Sequence, residues 1–160
     1  MRDDKEWFSE NVLECQESLY ILAYSILRGE EDAKDAVQEA IWRAYENLDS
    51  LREQSKFRPW IMKILSNTAY SMLRQRRQTF NIDEQEDIPA PENGADVNTR
   101  ISLWEAVEKL EMPYRQVVVL YYYERFSVKE ISGMLDSRPD TIRKRLSRAR
   151  EMLRRLIDRA

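Results

Sequence analysis

Two runs of cations dominate the side chains available for chemistry. Arg58, Lys63, Arg74, Arg76 and Arg77 form the first, and Arg143, Lys144 and Arg148, interleaved with Thr141 and Ser147, form the second. Residues 51–80 carry a net charge of +6 and residues 138–160 again +6, whereas residues 1–50 carry −8, 81–100 carry −5 and 101–137 carry −2. The whole chain sits at −3, so its overall charge hides both basic segments. A guanidinium offers a planar fork of donors that fits a phosphate or the edge of guanine, and an ammonium is a mobile point charge for phosphate. Grouped on one face, such side chains bind nucleic acid by displacing its counterions. One basic segment alone could equally be a solvated helix face; two in an otherwise acidic chain favour a polyanionic partner. A third set is acidic. Asp32, Asp35, Gln38 and Glu39 stand at i, i+3, i+6 and i+7, which share a broad helical face. By itself that set reads as a solvated acidic surface.

Other chemistries are closed off by composition. There is no histidine, which removes Ser-His and Cys-His nucleophile pairs and every imidazole metal site. The single Cys15 can form neither an internal disulfide nor a multi-cysteine zinc site, and it reads as a small buried apolar residue, with a redox role as the alternative. No paired carboxylates with an acid/base pattern stand out. The sequence therefore predicts a protein that is not an enzyme, with no cofactor, no metal and no small-molecule substrate. The opening residues MRDDKEWFSE lack the apolar core of a signal peptide, and no apolar run approaches the ~18 residues of a membrane span, so a cytoplasmic protein is expected.

The elements that must hold these residues are helical. With only three glycines and five prolines, long helices are expected and a turn-rich β fold is not. Phe8, Val12, Leu19, Ala23, Ile26 and Leu27 have helical spacing over residues 7–28, with Gly29 as an expected left-handed cap. A second helix is predicted from an N-cap at Asp32, with the stripe Ala33, Ala36, Val37, Ala40, Ile41, Ala44, Tyr45 and Leu48. Residues 49–58 read as a loop, and Pro59 suits the first turn of a third helix bearing Trp60, Ile61, Ile64, Leu65, Thr68, Ala69, Met72 and Leu73, with Trp60 assigned to core packing. Residues 81–98 are acidic, hold Pro89, Pro91 and Gly94, and show no apolar period, so they read as a linker. Helices resume with Ile101, Trp104, Val107 and Leu110, then again from Pro113 with Val117, Val118, Leu120 and Tyr121 inside. Ser127 and Glu130 form a predicted capping box. Ile131, Met134 and Leu135 follow, Asp136-Ser137-Arg138 make a short turn, and Pro139 opens a last helix with Ile142, Leu146, Ala149, Leu153 and Leu156 inward. That pattern predicts a helix-turn-helix, with Thr141, Arg143, Lys144, Ser147 and Arg148 facing a major groove. A surface helix rich in arginine is the plain alternative.

Three stretches resemble one family. Residues 32–40, DAKDAVQEA, resemble the polymerase-binding helix of bacterial sigma factors. Residues 57–64, FRPWIMKI, with Asn67-Thr68-Ala69 and the run Arg74-Gln75-Arg76-Arg77, are similar to the segment that reads the promoter −10 element. Residues 127–131, SVKEI, and 141–149, TIRKRLSRA, look like the region that reads the −35 element. Their order and spacing resemble the extracytoplasmic-function (ECF) group, which has only sigma regions 2 and 4. The resemblance implies an all-α fold of two small helical domains: region 2 over residues 1–80, a flexible acidic linker over 81–98, and region 4 over 99–160. Ser71 stands where members often carry Asp, Asp136 where the turn often has Gly, and Arg138 where a serine cap is common. These departures leave the start of the last helix and the DNA preference open.

The resemblance also implies roles and partners. Asp32, Asp35, Gln38 and Glu39 would dock on core RNA polymerase. Leu51 and Asn67 would line a pocket for a base of the melted −10 strand, while Arg58, Lys63, Arg74, Arg76 and Arg77 hold its phosphates. For Asn67 a local helix hydrogen bond is the alternative. Thr141, Arg143, Lys144, Ser147 and Arg148 would read the −35 duplex. Eighteen linker residues extend to roughly 60 Å, enough for promoter elements about one and a half turns apart, roughly 50–55 Å. The linker would thread the polymerase cleft, with a plain tether as the alternative. Promoter DNA, core RNA polymerase and an anti-sigma factor are the implied partners, the last able to hold the protein at the inner face of the membrane. A DNA-binding regulator acting through the helix-turn-helix alone, and a helical module binding protein or RNA, are the competing readings.

Overall fold

Helix α1 (Asp4–Leu27) buries Phe8, Val12, Cys15, Leu19, Leu22, Ala23 and Ile26, a stripe that recurs every three or four residues. The computed structural model describes residues 4–79 and 102–158, and all its regular elements are helices. The predicted linker 81–98 and Ile101 lie outside the described residues. Helix α2 (Glu30–Glu46) turns Ala33, Ala36, Ala40 and Ala44 inward, all fully buried. A ridge of methyl groups lets α2 lie close to both α1 and α3, because the smallest side chains set the interaxial distance. Helix α3 (Phe57–Thr79) completes this unit with Ile61, Met62, Leu65 and Ala69. Burial of each large aliphatic side chain contributes about 1.5–3 kcal/mol. At one end of the unit Trp7, Phe8, Phe57 and Trp60 form an aromatic cluster, with Trp7 edge-on to Phe57 at 5.4 Å and Phe57 5.7 Å from Trp60. Trp60 is only half buried, and its Nε1 donates to Ser50 Oγ at 3.2 Å.

Between α1 and α2 the expected caps are displaced. The left-handed residue is Arg28 (φ 60°), and Gly29 is extended (φ −134°) and serves as the N-cap of α2. Asp32 therefore lies inside the first turn of α2, where its charge favours the helix dipole. Arg28 caps α1 in the left-handed conformation, its N–H donating to Tyr24 O at 2.8 Å, and its guanidinium donates to the carbonyls of Glu108 and Leu110. The predicted loop at 49–58 contains two 3-10 turns, Leu48–Ser50 and Gln54–Lys56, and α3 starts at Phe57. Tyr45, expected inward, is exposed, although its ring packs on Phe8 at 5.3 Å.

The second half comprises α4 (Leu103–Glu108), α5 (Met112–Val118), a π turn (Val119–Tyr123), α6 (Val128–Leu135) and α7 (Pro139–Asp158). Val107, Val117, Leu120, Ile131, Ile142 and Leu146 form its core. The capping box is present in both directions, Glu130 N–H donating to Ser127 Oγ at 3.1 Å and Ser127 N–H to Glu130 Oε1 at 3.0 Å. Ser127→Ala should lower stability by about 1 kcal/mol in urea unfolding, the usual loss of one cap, and leave residues 4–79 unperturbed in hydrogen exchange. α5 packs on α1, and α6 packs on α3, so the two halves touch. No described helix is long and apolar enough to cross a membrane.

Cys15 is 4% exposed, and its Sγ donates to Asn11 O at 3.2 Å. Burial pushes the thiol up to about 11, against a smaller opposing pull from Arg58. In the unfolded chain it ionises near 9.0, so the folded state favours the neutral thiol. That stabilisation is fully present below pH 9 and is lost as pH rises through about 11. At pH 8 a disulfide reagent should leave Cys15 unmodified in native protein and react rapidly in urea. Urea midpoints should fall between pH 8.5 and pH 10.5, and Cys15→Ala should flatten that dependence.

Candidate nucleic-acid interfaces and an acidic docking face

Because α2 spends its inward stripe on alanine, its outer face is free for charge. Asp35, Gln38 and Glu39 are exposed, and Glu39 pairs with Arg43 at 3.1 Å, a surface contact of small energy. Asp32 stands apart: it is ion-paired with Arg76 near the end of α3. One predicted phosphate contact and one predicted docking residue thus engage each other. Arg76 also points at the carbonyl of Leu27, at the C-terminus of α1.

Lys63, Asn67, Arg74 and Arg77, at i, i+4, i+11 and i+14, share one side of α3. Asn67, Arg74 and Arg77 are exposed, and the Asn67 amide has no hydrogen bond among the described residues, so the local helix bond does not form. Leu51 is half buried against the core, between the two 3-10 turns. The remaining two cations are engaged by the second half. Arg58 Nη2 lies 2.8 Å from Glu124 Oε2, with its guanidinium 4.4 Å from the Phe126 ring centre. Lys63 Nζ lies 3.1 Å from Asp136 Oδ1.

The third set is held by local geometry. Asp136 ends α6 in the left-handed region (φ 51°), Ser137 N–H donates to Ser132 O at 3.1 Å, and Pro139 opens α7 without needing an N–H partner. Ile142, Leu146, Ala149 and Leu153 fix the inner side of α7, while Leu156 is half buried. Arg143, Lys144, Ser147 and Arg148 project outward from two adjacent ridges, and Thr141 is half buried beside them. Arg143 pairs with Asp140 at 2.9 Å, both largely exposed, which orients the guanidinium without removing it from solvent. α7 can therefore present a cationic, hydrogen-bonding face to a duplex groove.

Two surfaces escaped the sequence reading. Leu13 (69% exposed) and Trp42 (61% exposed) face solvent near the acidic face, and Leu13, Gln16, Tyr20, Lys34, Val37 and Gln38 line an open groove between α1 and α2. The signal for Leu13 was available: it falls off the Phe8, Val12, Cys15, Leu19 stripe. In the second half Leu103, Tyr121, Tyr122 and Tyr123 are exposed, with Tyr123 edge-on to Trp104 at 5.0 Å. Tyr121 was expected inside the helix; the π turn rotates it outward.

Residues 12–79 match the family described as Sigma-70 region 2, and residues 100–153 match Sigma-70, region 4. The chain is 29% identical to the ECF RNA polymerase sigma factor SigW of Bacillus subtilis (strain 168) over 172 aligned positions, covering 98% of this chain and 91% of that protein. It is 31% identical to the ECF RNA polymerase sigma-E factor of Escherichia coli (strain K12) over 137, covering 76% and 72%. Among solved structures it is similar to the sigma factor RpoE in complex with the anti-sigma factor NepR from Bartonella quintana (TM-score 0.74, 25% identity, 94% of this chain and 96% of that one). It is also similar to CnrH in complex with the cytosolic domain of CnrY (TM-score 0.69, 25% identity, 94% and 87%).

Proposed function

Because the chain belongs to the ECF group of the sigma-70 family, whose members direct promoter-specific transcription initiation, we propose a residue-level division of that work. Asp35, Gln38 and Glu39 dock on core RNA polymerase, with Asp32 at the edge of the same face. Arg58, Lys63, Arg74, Arg76 and Arg77 hold phosphates of the melted −10 strand, and Leu51 and Asn67 contact a base drawn out of the stack. Arg143, Lys144, Ser147, Arg148 and Thr141 read the −35 element as duplex. Residues 1–80 and 99–160 act as separate units, with 81–98 as the tether. An anti-sigma factor controls the protein, as the complex of the similar sigma factor RpoE with the anti-sigma factor NepR suggests by analogy. The protein works in the cytoplasm and catalyses no reaction of its own.

The observation that carries this reading is the order along one chain: an exposed acidic helix face, a basic helix with an unbonded asparagine amide, and a capped helix-turn-helix whose outer ridges are cationic. A pull-down with purified core polymerase tests it. Stoichiometric capture is expected. Binding to duplex DNA through α7 with no capture by polymerase would instead assign the chain to regulators that act by the helix-turn-helix alone.

A further inference from the structure

Among the described residues three non-glycine residues adopt the left-handed conformation: Arg28 (φ 60°), Arg125 (φ 59°) and Asp136 (φ 51°). Two of them make contacts between the two halves, and Arg125 lies between two residues that do. Arg28 reaches the Glu108 and Leu110 carbonyls. Arg125 separates Glu124 from Phe126, which together grip Arg58. Asp136 carries the carboxylate that meets Lys63. Each closes the C-terminal end of a helical element, where a left-handed residue is a common cap, so three helix ends converge on one seam. The π turn Val119–Tyr123 immediately precedes Glu124, whose N–H donates to Val119 O at 3.0 Å, so the backbone is re-aimed at the same seam.

Beside the apolar core, which is continuous across both halves, the seam holds buried polar groups. Arg115 (4% exposed) donates to Ser25 O across the seam and to Leu110 O at 2.9 Å, with no carboxylate partner among its hydrogen bonds. Gln116 Nε2 donates to Ser66 Oγ at 2.8 Å, and Tyr70 OH donates to Gln116 Oε1. Burial, then the neighbouring Arg28, lower Arg115 to about 10, still charged at neutral pH. A buried cation held by carbonyl oxygens regains hydration when such an interface parts, which offsets part of the cost of exposing the apolar residues around it.

We propose that Glu124 and Asp136 are internal stand-ins for promoter phosphates, holding the free protein shut on Arg58 and Lys63 until single-stranded DNA displaces them. Each carboxylate offers an anionic oxygen at the distance a phosphate oxygen would take, 2.8 Å and 3.1 Å. Asp136 is the sharper case. A glycine would adopt its left-handed backbone without strain, and Asp136 adds a carboxylate there that stays 75% exposed beside Lys63, open to displacement. This inference rests on the reading of Arg58 and Lys63 as −10 phosphate contacts.

The test uses the full chain with Glu124→Gln, Asp136→Asn and both together. Gln keeps the shape of Glu, and Asn tolerates the left-handed region, so folding is preserved and can be checked by circular dichroism. The probe is a fluorescein-labelled single-stranded 12-mer, with radius of gyration by small-angle scattering as the second readout. The double variant should be larger in solution and bind the 12-mer roughly fivefold to tenfold tighter, since freeing a competent state raises apparent affinity by its population gain. Adding Arg58→Ala and Lys63→Ala should abolish that gain. Unchanged size and affinity in the double variant would overturn the latch and leave the −10 assignment standing. Expansion without tighter binding would overturn the phosphate mimicry and the assignment of Arg58 and Lys63 with it.

Discussion

Replacing Asp35 and Glu39 together with lysine should abolish capture by core RNA polymerase and leave the fold intact. Both side chains are exposed on α2, and the helix is held from its other side by Ala33, Ala36, Ala40 and Ala44. The folded state loses only the Glu39–Arg43 pair at 3.1 Å, worth about 0.3–0.5 kcal/mol on a helix surface. At a docked interface the same two changes put like charges together, where close pairs couple by roughly 1.5–7 kcal/mol. Affinity should therefore fall by at least about a hundredfold while the urea midpoint barely moves. Binding titrations and equilibrium unfolding on one protein preparation check both halves. Asp32→Ala should behave differently: it frees Arg76, so a measurable stability loss should accompany any binding defect.

On duplex promoter DNA, alanine at Arg143, Lys144 and Arg148 one at a time should separate readers of sequence from holders of phosphate. A base-reading arginine should lose about 1–3 kcal/mol on its own site and relax the preference at one position. A phosphate contact should weaken all sequences alike and reduce the slope of affinity against salt by about one charge. None of the three supports the core, since the inner side of α7 is Ile142, Leu146, Ala149 and Leu153. Unfolding therefore cannot account for a loss. If all three substitutions leave affinity, preference and salt slope unchanged, α7 is a surface helix.

How much of this was legible in the sequence depends on how local each signal is. The helix-turn-helix was read almost whole, because the Ser127 cap, the three-residue turn and Pro139 act over a few residues and need no tertiary partner. The alanine stripe of α2 was equally plain, since a 3.6-residue period survives in any context. What failed was non-local. Gly29 has the intrinsic freedom for a left-handed cap, yet Arg28 takes that position, and its guanidinium meets carbonyls 80 and 82 residues away. The engagement of Arg58 by Glu124 spans 66 residues, and that of Lys63 by Asp136 spans 73. Neither pair has a pattern that a linear scan could detect. The π turn was hidden inside the run Val117–Tyr123, where every residue is apolar or aromatic and an inserted residue leaves no mark on the period. The linker predicts a tethered pair of units; in the structure the two halves touch through a continuous apolar core and through ion pairs that engage Arg58 and Lys63, the proposed −10 contacts.

Transcription of a genomic DNA library by purified core polymerase, with and without this protein, tests the central assignment most directly. The account predicts new start sites that appear only when the protein is added. Upstream of them should lie two shared sequence elements about one and a half helical turns apart, and the Asp35/Glu39 lysine variant should produce none. Start sites identical with and without the protein, under conditions where it is folded, would contradict it.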